Sequence, residues 1–301
     1  MIGDHRVIKI LLLSLLATAS HAIVRDAAPA TAAQIGVGAQ YDTTHVYVAP
    51  EDVDRFAASF LATFGGQSTK QVVATVTPTS SSTTSQLLQT PVGTVSLFGF
   101  KTPIPYPFGF ERTGYLVTDM DRAITLAKAS GADIVVAAFP DPIGRDAVIQ
   151  WPGGINMQIY WHTTKPSYAA FETIPENRVY VSPGRADAFT RDFLRFSHGK
   201  AVSDESHAPG IEVGRPDDTY RRIRIESVFG KMTVFVTEGH LPYPYGRELT
   251  GYEVVNLKDS LAKASASGAT ILVEPFRSED RTSAIVHFPG GYIAEIHAPA
   301  S

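Results

Sequence analysis

Glu295 and His297, near the end of the chain, are residues whose types and spacing could do chemistry. Side chains two residues apart on a β-strand point to the same face, so a carboxylate and an imidazole would lie together. With His240, this pair forms the metal cluster that residue types alone suggest. The chain has no cysteine, which excludes thiolate metal sites and cysteine nucleophiles. No serine, histidine and acid set has a hydrolase signature.

The composition indicates a protein with a sizeable core and no affinity for polyanions. The 301 residues are 44% hydrophobic and 19% charged, which suits two domains of ordinary size. The formal net charge is −4 and the sequence pI is near 6.1. Binding to nucleic acid requires a basic surface that displaces counterions from phosphate, so nucleic acid is not expected as a partner.

The N-terminus has the pattern of a secretory signal peptide. A positively charged start precedes an apolar run over residues 10–19, and Ser20-His21-Ala22 offers the small residues of a cleavage site. The run is shorter than the roughly 20 residues of a membrane-spanning helix. We therefore expect cleavage of residues 1–22 after Ala22, a flexible leader over residues 23–40, and a mature protein that is exported to the periplasm without membrane attachment.

Most of the remaining sequence is present twice. His45-Val46-Tyr47-Val48 returns as Arg178-Val179-Tyr180-Val181 at an offset of 133, and Gly114-Tyr115 returns as Gly251-Tyr252 at an offset of 137. The offset drifts by only about four residues, which indicates one duplicated domain rather than a short-period repeat. Functional differences should therefore lie where the two copies differ.

Both copies contain the same order of elements. In the first copy, residues 44–48 alternate as a strand, and the apolar spacing from Val53 to Phe64 indicates a helix that Gly65-Gly66 ends. Residues 72–76 and 94–100 are predicted as strands on either side of a Ser/Thr-rich loop, Pro78 to Ser85. A second helix begins at Asp119, and three more strands follow it, over residues 134–138, 146–150 and 155–160.

This order corresponds to two βαβββ units in each copy. Two such units side by side form a curved, eight-stranded mixed sheet with helices on its convex face. The concave face is a cup, and small ligands bind in concave sites. The fold class is therefore α+β.

At this point the sequence resembles the vicinal oxygen chelate (VOC) superfamily, which includes glyoxalase I, bleomycin resistance proteins and extradiol dioxygenases. The resemblance rests on Gly114-Tyr115-Leu116-Val117-Thr118-Asp119 and on Pro152-Gly153-Gly154, which return as Gly251-Tyr252 and Pro289-Gly290-Gly291. It implies two tandem VOC-like domains, over residues 41–165 and 174–299, with a linker over residues 166–173. One fold hosts many chemistries, so the resemblance does not specify the reaction.

The resemblance also implies where a metal would bind. The positions that hold ligands in metal-using members are occupied here by His45, Arg112 and Gln158 in the first copy, and by Arg178, Leu249 and Glu295 in the second. A guanidinium is always protonated and has no lone pair to donate, so Arg112 and Arg178 oppose a divalent cation. Neither set has the two histidines and one carboxylate of a non-haem iron site, which disfavours an extradiol dioxygenase. No cofactor is therefore predicted, and a divalent metal is disfavoured. His45, Gln158, Glu295, His297 and His240 remain the candidate metal ligands.

The same residues allow other interpretations. His45 is either a catalytic base or surviving ligand paired with Gln158, or a histidine that only bonds a neighbour. Arg178 and Glu295 form either an internal ion pair or an anion receptor in which Glu295 is catalytic. Arg112, Gln158 and Arg178 would then bind an anionic or polar substrate.

Two Pro-aromatic segments, Ile104 to Phe110 and Leu241 to Arg247, join the units of each copy. They are either structural linkers or lids, and as lids they would place Tyr106 and Tyr243 over a bound substrate.

The sequence thus predicts a glyoxalase-like exported VOC protein that acts on a small, polar, oxygen-bearing molecule as a lyase or isomerase. The alternative is a non-catalytic protein that binds or sequesters such a molecule, as resistance proteins of the superfamily do.

Overall fold

The computed structural model describes residues 34–300. The expected signal peptide, residues 1–22, lies outside this range. The expected flexible leader is described from residue 34 onward, and that part is packed rather than free. Ile35 is fully buried, Gly36 forms an antiparallel bridge with Val117, and the amide of Val37 donates to the carbonyl of Leu116 at 2.9 Å.

The first repeat forms one curved sheet with two helices. Its strand order is β2-β4-β5-β1-β6-β9-β8-β7, and the short β3 also pairs with β4. Strand β1 lies at the centre, parallel to β5 and antiparallel to β6. The elements are β1 (Thr43–Val48), α1 (Val53–Phe64), β2 (Gln67–Ser68), β3 (Val72–Ala74), β4 (Thr83–Thr90), β5 (Gly93–Phe100), β6 (Arg112–Leu116), α2 (Met120–Ala129), β7 (Asp133–Asp141), β8 (Gly144–Trp151) and β9 (Ile155–His162).

The second repeat has the same topology, with strand order β11-β12-β13-β10-β14-β17-β16-β15. The fold is therefore α+β with two cups, as the sequence predicted. None of the helices between residues 34 and 300 is long and apolar enough to span a bilayer. The elements are β10 (Glu176–Val181), α3 (Pro183–Ser197), β11 (Lys200–Pro209), β12 (Thr219–Ser227), β13 (Gly230–Val236), β14 (Leu249–Glu253), α4 (Leu257–Ala266), β15 (Thr270–Ser278), β16 (Arg281–His287) and β17 (Ile293–Pro299).

Helix capping is repeated along with the topology. The Asp119 side chain accepts a hydrogen bond from the amide of Arg122 at 3.0 Å and caps α2. Asn256 caps α4 in the same way through the amide of Asp259, at 3.1 Å. Such caps satisfy amides that have no partner within the helix, so a sequence change from aspartate to asparagine preserves the start of the helix.

The predicted loop from Pro78 to Ser85 is shorter than expected. Its last three residues already belong to β4, which continues to Thr90 and pairs along its whole length with β5. This strand is rich in Thr, Ser and Gln, and such a polar composition is more typical of a loop than of a strand. The β-branched threonines fit a pleated sheet once a partner strand supplies the hydrogen bonds.

The two hydrophobic cores each combine halves of different repeats. One core joins α2, β8 and β9 of the first repeat to α3, β12 and β13 of the second, through large side chains such as Trp151, Phe193 and Phe229. The other joins α1, β4 and β5 to α4, β16 and β17, through Phe60 and Phe288 among others. These residues lie on the convex faces of the sheets. The opposite, concave faces are therefore free to form two cups.

Candidate functional site

The strand register places the sequence-predicted residues at equivalent positions of the two cups. His45 pairs with Arg112, and Arg178 pairs with Leu249, at the same step of the central ladder. Gln158 lies opposite Gly114, and Glu295 lies opposite Gly251. The alternate residues of these strands belong to the convex cores, so His45, Gln158, Arg178 and Glu295 all face the concave side.

Glycine at position 114 makes room for the His45 imidazole in the first cup. A Cβ at Gly114 would lie 2.5 Å from His45 Nε2 and 3.0 Å from Tyr160 Cε1. Gly251 has the same role in the second cup, where a Cβ would lie 2.6 Å from Glu295 Oε2. The repeated Gly-Tyr motif therefore positions the central side chain of each cup.

His45 belongs to a chain of three hydrogen-bonded side chains. Its Nδ1 lies 3.2 Å from Gln158 Oε1, and Gln158 Nε2 donates to Asp146 Oδ2 at 2.7 Å. An amide oxygen only accepts, so Nδ1 is the protonated nitrogen and Nε2 carries the lone pair. The structure thus brings His45 and Gln158 together across the cup and adds Asp146, which sequence reasoning did not include.

Burial shifts the pKa values of His45 and Asp146, the first and last of these three side chains. It lowers the pKa of His45 to about 3, and the positive charge of Arg112 adds to the shift. Burial raises the pKa of Asp146 well above its usual range, and the nearby carboxylate of Asp141 acts in the same direction. His45 is therefore neutral at physiological pH.

A cavity of about 310 Å³ lies in the first cup beside the hydrogen-bonded side chains of His45 and Asp146. Its walls are mostly apolar, and three of the polar groups at its base are His45, Ser96 and Asp146. Val72 and Ile143, which are 54% and 53% exposed, show that the apolar lining reaches the surface. The apolar lining residues are Val72, Ala74, Val76, Leu87, Phe98, Pro142 and Ile143.

Arg112 holds the adjoining Pro-aromatic segment rather than facing this cavity. Its guanidinium donates to the carbonyls of Pro107 and, at 3.3 Å, Phe110, and it lies 5.7 Å from the centre of the Phe108 ring. Phe108 packs against Phe139. Tyr106 points outward with 77% of its surface exposed. These contacts are those of a structural linker that the Arg112 side chain holds in place.

Arg178 lies between two carboxylates in the second cup. Its Nη1 is 3.3 Å from Oε1 of both Glu176 and Glu295, and its guanidinium lies 4.7 Å from the centre of the Phe235 ring. Although burial opposes ionisation, Arg178 and His297 lower the pKa of Glu295 to about 2. The arrangement is the internal ion pair rather than a free anion receptor.

A short turn enters the second cup. Residues Gly210–Val213 follow β11 and carry the buried Glu212 inward. Glu212 accepts from Arg222 at 2.6 Å and from Ser278 at 2.7 Å, and it also bonds Tyr220. The centre of the concave face of the second repeat is therefore occupied by its own side chains.

The residues of neither cup fit a divalent metal. Between residues 34 and 300, no group of three or more His, Asp or Glu side chains is arranged so that it could hold a metal ion. His297 Nδ1 does contact Glu295 Oε2 at 2.7 Å, as strand alternation predicted. The expected third member, His240, is exposed in the segment that follows β13, where Tyr243 is also 64% exposed. Arg112 and Arg178 stand at the positions where the superfamily places ligands.

Asp146, Ser96 and Glu176 are the site residues that sequence reasoning missed. Asp146 is offset by two residues from Val148, which lies on the concave face, and Glu176 is offset by two residues from Arg178. Side chains alternate between the two faces along β8 and β10, so Val148 and Arg178 would have indicated that Asp146 and Glu176 also face the cups. Ser96 requires the β1–β5 register, in which it is the partner of His45.

Comparison with known proteins supports the fold. No protein-family model and no curated protein matches the sequence. Among solved structures, a mutant of 4-hydroxymandelate synthase from Streptomyces coelicolor matches with a TM-score of 0.57 and 14% identity, over 89% of this chain and 93% of that one. The 2,3-dioxygenase LapB from Pseudomonas sp. KL28 matches with a TM-score of 0.51 and 11% identity, over 89% and 92%. The Mn(II)-bound glyoxalase from Novosphingobium aromaticivorans matches with a TM-score of 0.50 and 14% identity, over 88% and 82%.

All of these proteins are members of the vicinal oxygen chelate superfamily. The chain therefore has the tandem VOC fold that the sequence predicted. At identities of 11–14% the likeness concerns the fold, and the named reactions are those of the matched proteins.

Proposed function

We propose that this chain is an exported protein that binds a small molecule in its first cup without a divalent metal. The observation that carries the proposal is the cavity of about 310 Å³ beside His45 and Asp146. Its volume lies at the lower end of the range for ligand pockets, and apolar walls around a few polar groups are typical of such sites. Export rests on the signal-peptide pattern of residues 1–22.

The second cup has a structural role in this proposal. Its central charges balance one another, because Arg178 faces Glu295 and Glu176 while Arg281 contacts Glu176 at 2.9 Å. Displacing these contacts to admit a ligand would leave buried charges without partners, at a cost of about 3–5 kcal/mol. A ligand would therefore have to offset this cost to displace them.

A second candidate function is metal-independent, glyoxalase-like lyase or isomerase chemistry in the first cup. It is favoured by the chain of His45, Gln158 and Asp146, in which Nε2 of a neutral imidazole carries a lone pair. The matched superfamily members are enzymes. However, an efficient general base has a pKa near the working pH, and burial lowers the pKa of His45 to about 3. Binding is therefore the function that the geometry supports better.

A thermal-shift screen tests the proposal. The full mature chain is heated with a library of neutral, aromatic and polar small molecules, and hits are measured again with the Ala74→Trp variant. Ala74 lies on the short strand β3 and lines the cavity, so an indole there fills the space that a ligand needs. Ala201→Trp, at an exposed position on the strand β11, is the matched control.

We expect hits that raise the melting temperature of the chain and of Ala201→Trp but not of Ala74→Trp. Stabilisation that survives in Ala74→Trp would contradict binding in the first cup. Turnover of a hit that depends on His45 would favour the lyase or isomerase instead.

A further inference from the structure

Three hydroxyl groups that line the first cup, those of Ser96, Thr43 and Tyr160, donate their protons to one another or to the backbone. Ser96 Oγ donates to Thr43 Oγ1 at 3.2 Å, Thr43 bonds the phenol of Tyr160, and that phenol donates to the carbonyl of Tyr41. Each hydroxyl proton in the chain is directed at the next oxygen and away from the cavity. The open end is the Ser96 oxygen, which can only accept a further hydrogen bond.

The His45 imidazole, which lies beside these hydroxyl groups, also presents a hydrogen-bond acceptor. Gln158 fixes the proton of His45 on Nδ1, so Nε2 offers a lone pair. Nε2 makes no hydrogen bond to any residue between 34 and 300, and it is not sealed from solvent. Asp146 accepts from Gln158 through Oδ2, and its Oδ1 makes no hydrogen bond to any residue between 34 and 300. Because burial raises the pKa of this carboxyl group well above its usual range, Oδ1 is an acceptor only where a bound cation keeps the group ionised.

The groups that line the cavity disfavour an anion. They include the carboxyl groups of Asp141 and Asp146, and neither offers an anion a positive charge. The cation among the described lining residues is Lys70, which is solvent-exposed, whereas the buried Arg112 does not line the cavity and donates through Nε and Nη2 to backbone carbonyls. A bound carboxylate would therefore be desolvated beside acceptors and acidic groups without a buried cation to compensate.

We infer that the ligand of the first cup has an apolar body and a head group that donates hydrogen bonds and carries no negative charge. A hydroxyl or an amino group meets this requirement, because either can donate to His45 Nε2 and Ser96 Oγ, and an ammonium group would in addition pair with an ionised Asp146. The apolar body lies against walls such as Leu87 and Phe98. This inference rests on the proposed function, since it names the chemistry of the same cavity, and it replaces the anion preference that the arginines suggested in the sequence.

A set of four probes with one apolar body tests the head group. The mature chain is titrated with 2-naphthylmethanol, 2-naphthylmethylamine, 2-naphthoate and 2-methylnaphthalene, and the naphthalene fluorescence reports binding. We expect the alcohol or the amine to bind at least about tenfold more tightly than the carboxylate and the hydrocarbon, which corresponds to two or more extra hydrogen bonds. Tighter binding of the alcohol identifies a neutral hydroxyl, and tighter binding of the amine identifies an ammonium group held by Asp146.

Ser96→Ala and Asp146→Asn locate the effect. Ser96→Ala should weaken the better of the two donor probes about threefold to tenfold, and Asp146→Asn should weaken the amine by a similar factor. Both variants should leave 2-methylnaphthalene unchanged, because the hydrocarbon makes no hydrogen bond to either side chain. A carboxylate or hydrocarbon that binds as tightly as the donors overturns the inference while leaving the binding site intact. Failure of all four probes to bind, with no difference between the chain and Ala74→Trp, overturns the proposed function and the inference together.

Discussion

Substituting alanine for the two equivalent glycines, Gly114 and Gly251, should separate the functional cup from the structural one. Neither glycine has a positive φ, so alanine introduces no backbone strain. In Gly114→Ala the new methyl group would lie 2.5 Å from His45 Nε2, whereas ordinary van der Waals contacts are 3.4–4 Å. The imidazole must therefore retreat by about 1 Å.

This displacement should break the hydrogen bond between His45 and Gln158. Their separation is already 3.2 Å, so a shift of about 1 Å exceeds hydrogen-bonding distance. Overpacking of this size costs about 1–3 kcal/mol of folding stability. A ligand that donates to His45 loses about 0.5–1.5 kcal/mol of binding free energy as well, or roughly threefold to tenfold in affinity.

Gly251→Ala is the matched control. Its methyl group would meet Glu295 Oε2 at 2.6 Å and Arg178 Cδ at 3.2 Å, so the folding cost should be similar. Urea unfolding measures stability, and fluorescence titration with the best probe measures affinity. Both variants should be destabilised, but only Gly114→Ala should bind more weakly. Equal losses of affinity in the two variants would refute the assignment of function to the first cup.

Three further outcomes are expected. Burial raises the pKa of Glu248 to about 7, so the folded protein favours the protonated form of this side chain. The resulting stabilisation is complete below pH 4.5 and is lost as the pH rises through 7. For a partly exposed group this amounts to about 1–2 kcal/mol, and urea unfolding from pH 5 to 8 should show a shallower decline in Glu248→Gln. Arg178→Met should lower the free energy of unfolding by about 3–5 kcal/mol, since it leaves buried carboxylates unpaired, and adding Glu295→Gln should restore part of the loss; an additive double variant would contradict the ion pair. Mass spectrometry of protein exported from its native host should find Ile23 at the N-terminus, and retention of Met1 would contradict cleavage after Ala22.

The fold was predictable from sequence because the duplication shows the pattern of most strands and helices twice. A strand, helix or glycine turn that was weakly indicated in one copy was repeated in the other, as with Gly114-Tyr115 and Gly251-Tyr252. Strand β4 escaped prediction because its Thr, Ser and Gln residues resemble a loop until a partner strand is known. The packing of Ile35 was hidden for a related reason, since its partners come from distant parts of the chain.

The site was predictable only in part. The pairing of His45 with Gln158 and of Arg178 with Glu295 followed from their positions in the fold. Which cup stays open depended on contacts that no local pattern encodes. Glu212 enters the second cup because Arg222 and Ser278, from two other strands, meet it there. The direction of the Arg112 guanidinium likewise depends on the conformation of the neighbouring segment.

The stoichiometry of ligand binding without metal tests the central claim most directly. The mature chain is treated with EDTA, and the best probe is titrated by isothermal calorimetry. We predict one molecule bound per chain, with the same affinity before and after addition of Mn²⁺, Ni²⁺ or Zn²⁺, because one cup holds a cavity and the centre of the other is occupied by Glu212, Arg178 and Glu295. Two molecules per chain, or binding that appears only when a metal is added, would contradict the account.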